Sequence, residues 1–331
     1  MEKRINLFVT EQGAKLQVEG QRLFVSKCKE KLADIPLIHL RHIVIFGSAT
    51  LTPRAVSRLL REGVFVSFLT MNGRFIGELL PAEHADGLIR KLQVKRLDDE
   101  LFRIQISREI VTAKIHNFLW LLDKKRRKKM DLEKEKGELK KIEERVTSVS
   151  SMKELLGLEG SASRMYFSLI SRIFALEFSF DGRKKHPAPD PLNALLSLSY
   201  TLLYSICFSF LHVVGLDPFI GFYHELRRGH ASLASDLMEE FRAFVCDLFV
   251  LRIVNQGYFS PDSFTYTGDR VFLKKDSLKV FLKEWAKNLD RRVKVNDSFE
   301  ADIWHLIELQ AQKLKRAICG VENYIAFRAG E

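Results

Sequence analysis

Three segments place metal-ligating residue types where they could do chemistry. In Gly157-Leu158-Glu159-Gly160 a carboxylate stands between glycines, and Ser161, Ser163, Arg164 and Tyr166 follow. Glycine lacks a Cβ and admits a phosphate or a second segment closely. Glu159, at what reads as a helix start, therefore suits either a solvated turn or a ligand. Between Gly215 and His224, Asp217-Pro218 and Gly221 punctuate a loop that ends on the histidine. His224 there suits a structural hydrogen bond as well as a metal bond. In Ser235-Asp236-Leu237-Met238-Glu239-Glu240-Phe241-Arg242, Asp236 and Glu239 are three apart and share a helix face. Leu237, Met238, Phe241, Val245 and Leu248 form an apolar stripe that both acids border. Two carboxylates at such an edge stay ionised only with a cation between them. Arg242 is one candidate; a divalent metal, with His224 supplying a nitrogen, is the other. Spacing leaves both open.

The elements that must position these residues are helical. From about residue 86, apolar residues recur at three- and four-residue intervals, as in Leu97, Leu101 and Ile104, then Ile115, Leu119 and Leu122. Leu192–Leu216 contains no Asp, Glu, Lys or Arg, and a bilayer needs about 20 such residues. Its Asn193, Ser197, Ser199, Thr201, Ser205, Ser209 and His212 spread over more than one helix face, which favours a buried central helix over a membrane span. The first 80 residues read differently. Ile5–Thr10, Ala14–Gly20, Arg22–Lys27, His42–Gly47, Val64–Leu69 and Arg74–Leu79 are short β-type runs, the last two joined through Asn72-Gly73. Thr52-Pro53 opens a short helix that stops at Gly63. Late in the chain a hairpin is expected around Gly268-Asp269. Asp276 is expected to cap a helix to about Leu289, and another helix to run from Ser298 to about Ile318. The fold class is therefore α+β: a small β-rich N-terminal domain, 1–85, followed by a larger all-α C-terminal domain, 86–331.

Composition narrows the partners. Hydrophobic residues make up 46% of the 331, which excludes a disordered chain. The net charge of +11 favours a polyanionic partner, nucleic acid before membrane. Nearly half of that excess lies between Lys124 and Arg145, where 11 Lys and Arg face 6 Asp and Glu. Lys124, Lys125, Arg126 and Arg127 open this stretch. It marks an exposed arm, either a solvated helix with Glu–Lys pairs or a contact for phosphates. Cys28, Cys207, Cys246 and Cys319 lie far apart, which points to buried reduced thiols rather than disulfides or zinc. The N-terminus lacks a long apolar run with a small-residue cleavage site, so an unexported, cytoplasmic protein is expected.

The combination of GLEGSASRMYF, PLNALLSLSYTLLYS, GLDPFIGFYHELRRGHASLASDLMEEFR and FTYTGDRVFLKKD resembles the CRISPR-associated integrase-endonuclease family, the spacer-acquisition subunit of CRISPR systems. Block order and the β-then-α layout both match. The resemblance implies that Glu159, His224 and Glu239 are catalytic metal ligands and that Asp236 lies beside the metal. It implies that Asn193 is structural or backs a ligand. It further implies a homodimer formed through the N-terminal domains, and a hetero-hexamer in which two dimers surround a small ferredoxin-like CRISPR-associated partner. The basic insert maps onto no family feature. Two carboxylates and an imidazole suit Mg²⁺ or Mn²⁺. Such an ion activates water for hydrolysis or a DNA 3′-hydroxyl for strand transfer, and the resemblance implies double-stranded DNA and CRISPR-repeat DNA as the substrates. Arg164, Tyr166, Arg227 and Arg228 are candidates for holding phosphates near it. The alternative is a non-catalytic basic DNA-binding scaffold in which Glu159, His224 and Glu239 form a structural cluster.

Overall fold

The computed structural model describes residues 4–28, 30–81, 86–124, 132–174, 178, 180, 182–184, 188–296 and 299–331. Contacts divide the chain into two units, Met1–Ala85 and Asp86–Glu331. The first is strand-rich and the second mostly helical, so the α+β class holds.

The N-terminal unit contains β1 (Ile5–Val9), β2 (Ala14–Glu19), β3 (Arg22–Lys27), β4 (Glu30–Pro36), β5 (Leu40–Phe46), β6 (Ala49–Leu51), helix α1 (Pro53–Arg61), β7 (Phe65–Leu69) and β8 (Phe75–Leu79). They form two four-stranded sheets, ordered β1-β5-β7-β8 and β4-β3-β2-β6. Strand β2 alternates as a half-buried strand should, with Ala14, Leu16 and Val18 inward and Lys15 and Glu19 outward. Strand β5 is flanked by parallel β1 and β7 and is buried almost throughout, which explains its unbroken apolar run. One core joins the sheets: Leu16, Leu23 and Val25 meet Val9, Ile43, Ile45 and Val66, with Ala55 and Leu59 of α1. The expected cap is present, since Thr52 Oγ1 accepts from the Ala55 amide at 3.2 Å. Strands β4 and β6 were not legible, being short or broken in alternation. Cys28 is exposed rather than buried, in a tight turn at φ 47°.

The second unit contains α2 (Gly87–Asp98), α3 (Glu100–Lys124), α4 (Glu133–Val146), α5 (Met152–Ser171), α6 (Pro191–Val213), α7 (Ser232–Glu239) and α8 (Leu248–Asn255). A π-helical stretch, Arg242–Asp247, links α7 to α8. Then come the hairpin β9 (Phe264–Thr267) and β10 (Arg270–Leu273), α9 (Lys275–Leu289), the hairpin β11 (Arg292–Asn296) and β12 (Phe299–Asp302), and α10 (Ile303–Ile318). Helix α6 is the one described helix long and apolar enough to cross a membrane. It is buried along most of its length and packs on α7, α8 and α10. Its buried Ser199, Ser205 and Ser209 satisfy themselves by donating to carbonyls one turn back.

Several expectations change. Glu159 does not start a helix; it lies well inside α5, with Gly157 and Gly160 helical beside it. Residues 133–146 are not a free arm but a helix docked on α3 and α5 through Leu139 and Val146. Lys125, Arg126 and Arg127 lie outside the described residues, while Lys124 is exposed at the end of α3. Helix α9 starts at Lys275 after Lys274, so Asp276 sits in the first turn instead of capping. Ser298 lies outside the described residues; helix α10 starts at Ile303, where Asp302 Oδ1 accepts from the His305 amide at 2.9 Å. The preceding residues pair as strands instead.

Candidate active site

Four elements of the helical unit deliver the site: α3, α5, the loop from Asp217 to His230, and α7. The loop is tied down by backbone groups. Gln93 Nε2 donates to the carbonyls of Asp217 and Ile220, and Gln93 Oε1 accepts from the Asp217 amide. Arg103 Nε donates to the Phe222 carbonyl at 3.0 Å. Asp236, fully buried on α7, accepts the amides of Phe222, Tyr223 and His224. These bonds need the loop backbone pressed onto α7. A Cβ on Gly221 would stand 2.6 Å from the Ser232 carbonyl carbon and 2.7 Å from Asp236 Oδ2, so glycine is required there for close approach.

The fourth bond to Asp236 sets the histidine. His224 Nδ1 lies 2.7 Å from Asp236 Oδ1. A carboxylate can only accept, so Nδ1 carries a hydrogen, and in the neutral imidazole Nε2 then keeps the lone pair. Nε2 faces Glu239 Oε1 at 3.9 Å. Asp236 is thus a positioning residue for the histidine and loop. Arg242 does not bridge Asp236 and Glu239; it serves Glu239 alone, with Nη1 donating to Oε1 at 2.7 Å.

The sequence reading missed the residue at the centre. Lys114 of α3, almost wholly buried, reaches both glutamates: Nζ bonds Glu159 Oε1 and lies 2.7 Å from Glu239 Oε2. The contact with Glu239 is chiefly a charge contact, off the ideal hydrogen-bond direction, and Lys114 is the partner of that buried oxygen. Ser163 Oγ donates to Glu159 Oε1 at 2.7 Å. The one sequence signal for Lys114 was a lone cation in the apolar run Ile110, Val111, Ala113, Ile115 and Phe118.

Electrostatics keep both glutamates ionised. Burial raises the pKa of Glu159, but the Lys114 charge and the bonds from Lys114 and Ser163 outweigh it and hold the carboxyl below its usual range. At Glu239 burial is again opposed, by Arg242 and Lys114, and the carboxyl is held well below that range. The buried Tyr223 phenol is pushed up by burial and by the negative charge of Glu159, Glu239 and Asp236, so it stays protonated.

Behind Glu239 the π stretch turns Arg242 and Asp247 into the protein interior, a backbone irregularity often found at working sites. Asp247 accepts hydroxyls from Tyr200 and, at 2.8 Å, from Tyr166. Tyr166 is fully buried and cannot touch DNA, so that expectation is corrected: its aromatic ring packs on Phe118 and its hydroxyl serves Asp247. The Tyr200 ring carries the Arg242 guanidinium 4.3 Å and the Arg183 guanidinium 5.1 Å from its centre. Asn193 accepts from Arg183 Nη1 at 2.8 Å and from the Lys184 amide at 2.9 Å, so it organises the segment in front of α6 rather than entering the cluster. Arg164, Arg227 and Arg228 are exposed, and Arg227 pairs with Glu225 at 2.9 Å.

The residues fit a divalent cation by three observations. Glu239 Oε2 is buried with the Lys114 ammonium as its partner, His224 Nε2 lies 3.9 Å from the same glutamate, and Lys114 supplies a cation between the two carboxylates. Among the described residues no three His, Cys, Asp or Glu side chains stand as a closed ligand shell, because Lys114 lies between Glu159 and Glu239. The family model described as CRISPR associated protein Cas1 matches residues 7–287. This chain belongs to the Cas1 family. It is 34% identical over 295 residues to a CRISPR-associated endonuclease Cas1 of Thermus thermophilus, covering 87% of this chain and 85% of that one. A Cas1 protein from Thermotoga maritima superposes with a TM-score of 0.83 at 25% identity, covering 98% of this chain and all of that one. A Cas6-RT-Cas1–Cas2 complex gives 0.85 at 27% identity over the whole of this chain, which spans 37% of the chain it matches.

Proposed function

We propose that the protein is a divalent-metal-dependent DNA endonuclease and integrase of CRISPR adaptation, acting in the cytoplasm. The observation that supports this reading is that Glu159 and Glu239 share the buried Lys114 ammonium while His224 Nε2 lies 3.9 Å from Glu239 Oε1, so that three separate segments converge on Glu239. Membership of the Cas1 family and the name of the Thermus thermophilus relative support the nuclease part.

Glu159, Glu239 and His224 Nε2 would hold Mg²⁺ or Mn²⁺. When bound, such an ion lowers the pKa of a water or DNA 3′-hydroxyl and neutralises charge on the attacked phosphodiester. Water as nucleophile gives hydrolysis; a 3′-hydroxyl gives strand transfer. Asp236 holds the imidazole in the tautomer that leaves Nε2 free to ligate. Arg242 anchors Glu239, and the protonated Tyr223 phenol hydrogen-bonds Glu159 from the loop side. A Cβ on Gly157 would meet nothing within 4 Å and Gly160 has only the Arg164 tip nearby, so no other segment crowds α5 at these two positions. Exposed Arg164, Arg227, Arg228 and Lys124 suit phosphate contacts that position rather than specify. The likeness to the Cas6-RT-Cas1–Cas2 complex supports a Cas2 partner; on our reading that partner is small and ferredoxin-like, and homodimers formed through the strand-rich unit assemble with it into a hetero-hexamer.

The test is cleavage and strand transfer on double-stranded oligonucleotides carrying CRISPR-repeat sequence, with and without Mn²⁺. Glu159→Ala, His224→Ala and Glu239→Ala are each expected to lose more than the roughly 10–100-fold that outer partners of a ligand are worth, with DNA binding retained. EDTA is expected to abolish turnover of the wild type. The closed Lys114–glutamate pairing also favours a second reading, a structural cluster in a non-catalytic DNA-binding scaffold. In that case the same variants melt earlier, and DNA binding is salt-sensitive but indifferent to metal.

A further inference from the structure

We propose that Lys114 is a displaceable internal counter-ion: its ammonium joins Glu159 and Glu239 in the metal-free protein and leaves them when a divalent cation binds. The proposal rests on the reading of those glutamates as metal ligands. The side chain of Lys114 is 5% exposed, and that of Glu239 4%. Charges that deep are tolerated only in pairs. Lys114 supplies the missing sign, yet Glu239 does not depend on it, because Arg242 already binds Oε1 at 2.7 Å. The Lys114 contact falls on the other oxygen, off the hydrogen-bond direction. It is the looser of the two and therefore the one that can be given up.

Lys114 and a divalent cation compete for the same atoms. A Mg²⁺-sized ion bound to carboxylate oxygens lies about 2.0–2.1 Å away, and an ammonium held within hydrogen-bond reach of those oxygens would repel it strongly. One must leave, and the doubly charged ion gains more from two carboxylates. The side chains differ in what they permit. Arg242 is a rigid fork lying over the Tyr200 ring at 4.3 Å, so it stays. Lysine is a point charge on a flexible four-carbon stem. The side chains of Glu159 and His224, 18% and 31% exposed, open the cluster to solvent.

The experiment measures Mn²⁺ binding to the full chain by the electron-paramagnetic signal of free Mn²⁺, with no DNA present. Lys114→Met is expected to bind Mn²⁺ tighter by about tenfold, as a unit charge is withdrawn from the ligands. Its metal-free form should melt earlier, and its Mn²⁺-induced rise in melting temperature should exceed that of the wild type. Lys114→Arg, which keeps the charge on a fork that is given up less readily, should bind Mn²⁺ more weakly than Lys114→Met and no tighter than the wild type. In the wild type itself, acetic anhydride labelling read by mass spectrometry should spare Lys114 without metal and modify it with saturating Mn²⁺. That measurement decides the matter if Lys114→Met does not fold. Equal or weaker Mn²⁺ binding by Lys114→Met, or labelling of Lys114 that does not rise with Mn²⁺, overturns the proposal while leaving the metal site standing. Mn²⁺ binding that survives both Glu159→Gln and Glu239→Gln instead overturns the ligand assignment beneath it, and the proposal with it.

Discussion

Glu239 and Glu240 are neighbours in the chain, both buried, and they face opposite environments. Glu239 meets cations, Arg242 and Lys114, and its carboxyl is held well below the usual range. Glu240 meets neutral donors: the Tyr324 hydroxyl, the Phe327 amide and Gln310 Nε2, the last at 2.9 Å. Burial dominates there, only partly opposed by those hydrogen bonds, and its carboxyl is pushed up to about 7. The C-terminal segment forms this second environment. It returns along α3 and α10, with Phe327 stacked 5.3 Å from Phe241, and Asn117 binding both the Glu240 and Phe327 carbonyls. Burial alone therefore does not fix the state of a carboxylate. Whether it stays charged depends on the sign of what faces it, and only the charged one is equipped for a metal.

The sharpest way to break this contrast is to remove the cation on the first side. Arg242→Met should cost about 3–5 kcal/mol of stability in urea denaturation at pH 7, because it strips a buried carboxylate of its directional partner. Glu240→Gln should be benign in comparison and should leave Mn²⁺-dependent cleavage intact, since its neighbours need an acceptor and not a charge. A loss of cleavage there would erase the distinction between the two acids.

The pH dependence gives the next largest effect. Glu240 titrates near 7 in the folded protein, above its ordinary 4.5. Between those values the native state keeps a proton that the unfolded chain has lost, so stability falls as pH rises from 4.5 to 7 and is flat above. The drop should be about 3 kcal/mol, and Glu240→Gln should remove it. Trp120, Trp285 and Trp304 all lie in the helical unit, so their fluorescence reports this unit directly. The strand-rich unit should behave in the opposite sense. His42, fully buried with Nε2 2.6 Å from Ser67 Oγ, is pushed down to about 3 by burial. The unfolded chain takes up that proton first, so stability there is full above 6.5 and is lost as pH falls toward 3. Hydrogen exchange of β5 amides across this range checks it. The smallest effect belongs to Tyr324→Phe, which deletes one neutral donor to Glu240 and should cost about 1 kcal/mol.

Much of this molecule could be read from the chain. Period-two alternation announced β2 and β3, and Thr52-Pro53 announced α1, because these signals act within a few residues. Glu159, His224, Asp236 and Glu239 were recognisable as residue types set in unusual company. What could not be read lay in contacts across the chain. Lys114 is 45 residues from Glu159 in sequence, and nothing local distinguishes it except its apolar neighbours. Tyr166 looked like a phosphate contact until its hydroxyl was found on Asp247, 81 residues away. Strand β11 fell unread between two expected helices and β12 merged with the second, because four- and five-residue strands leave little periodicity to detect.

The sequence by itself determined the two-part architecture, the basic charge and the set of chemically competent side chains, since composition and short-range periodicity are local properties of a polypeptide. Only the tertiary structure decided which acid keeps its charge, which nitrogen of His224 is free and which cation lies between the glutamates. Those outcomes depend on distances between segments far apart in the chain, and electrostatic energy in a buried site is set by such distances.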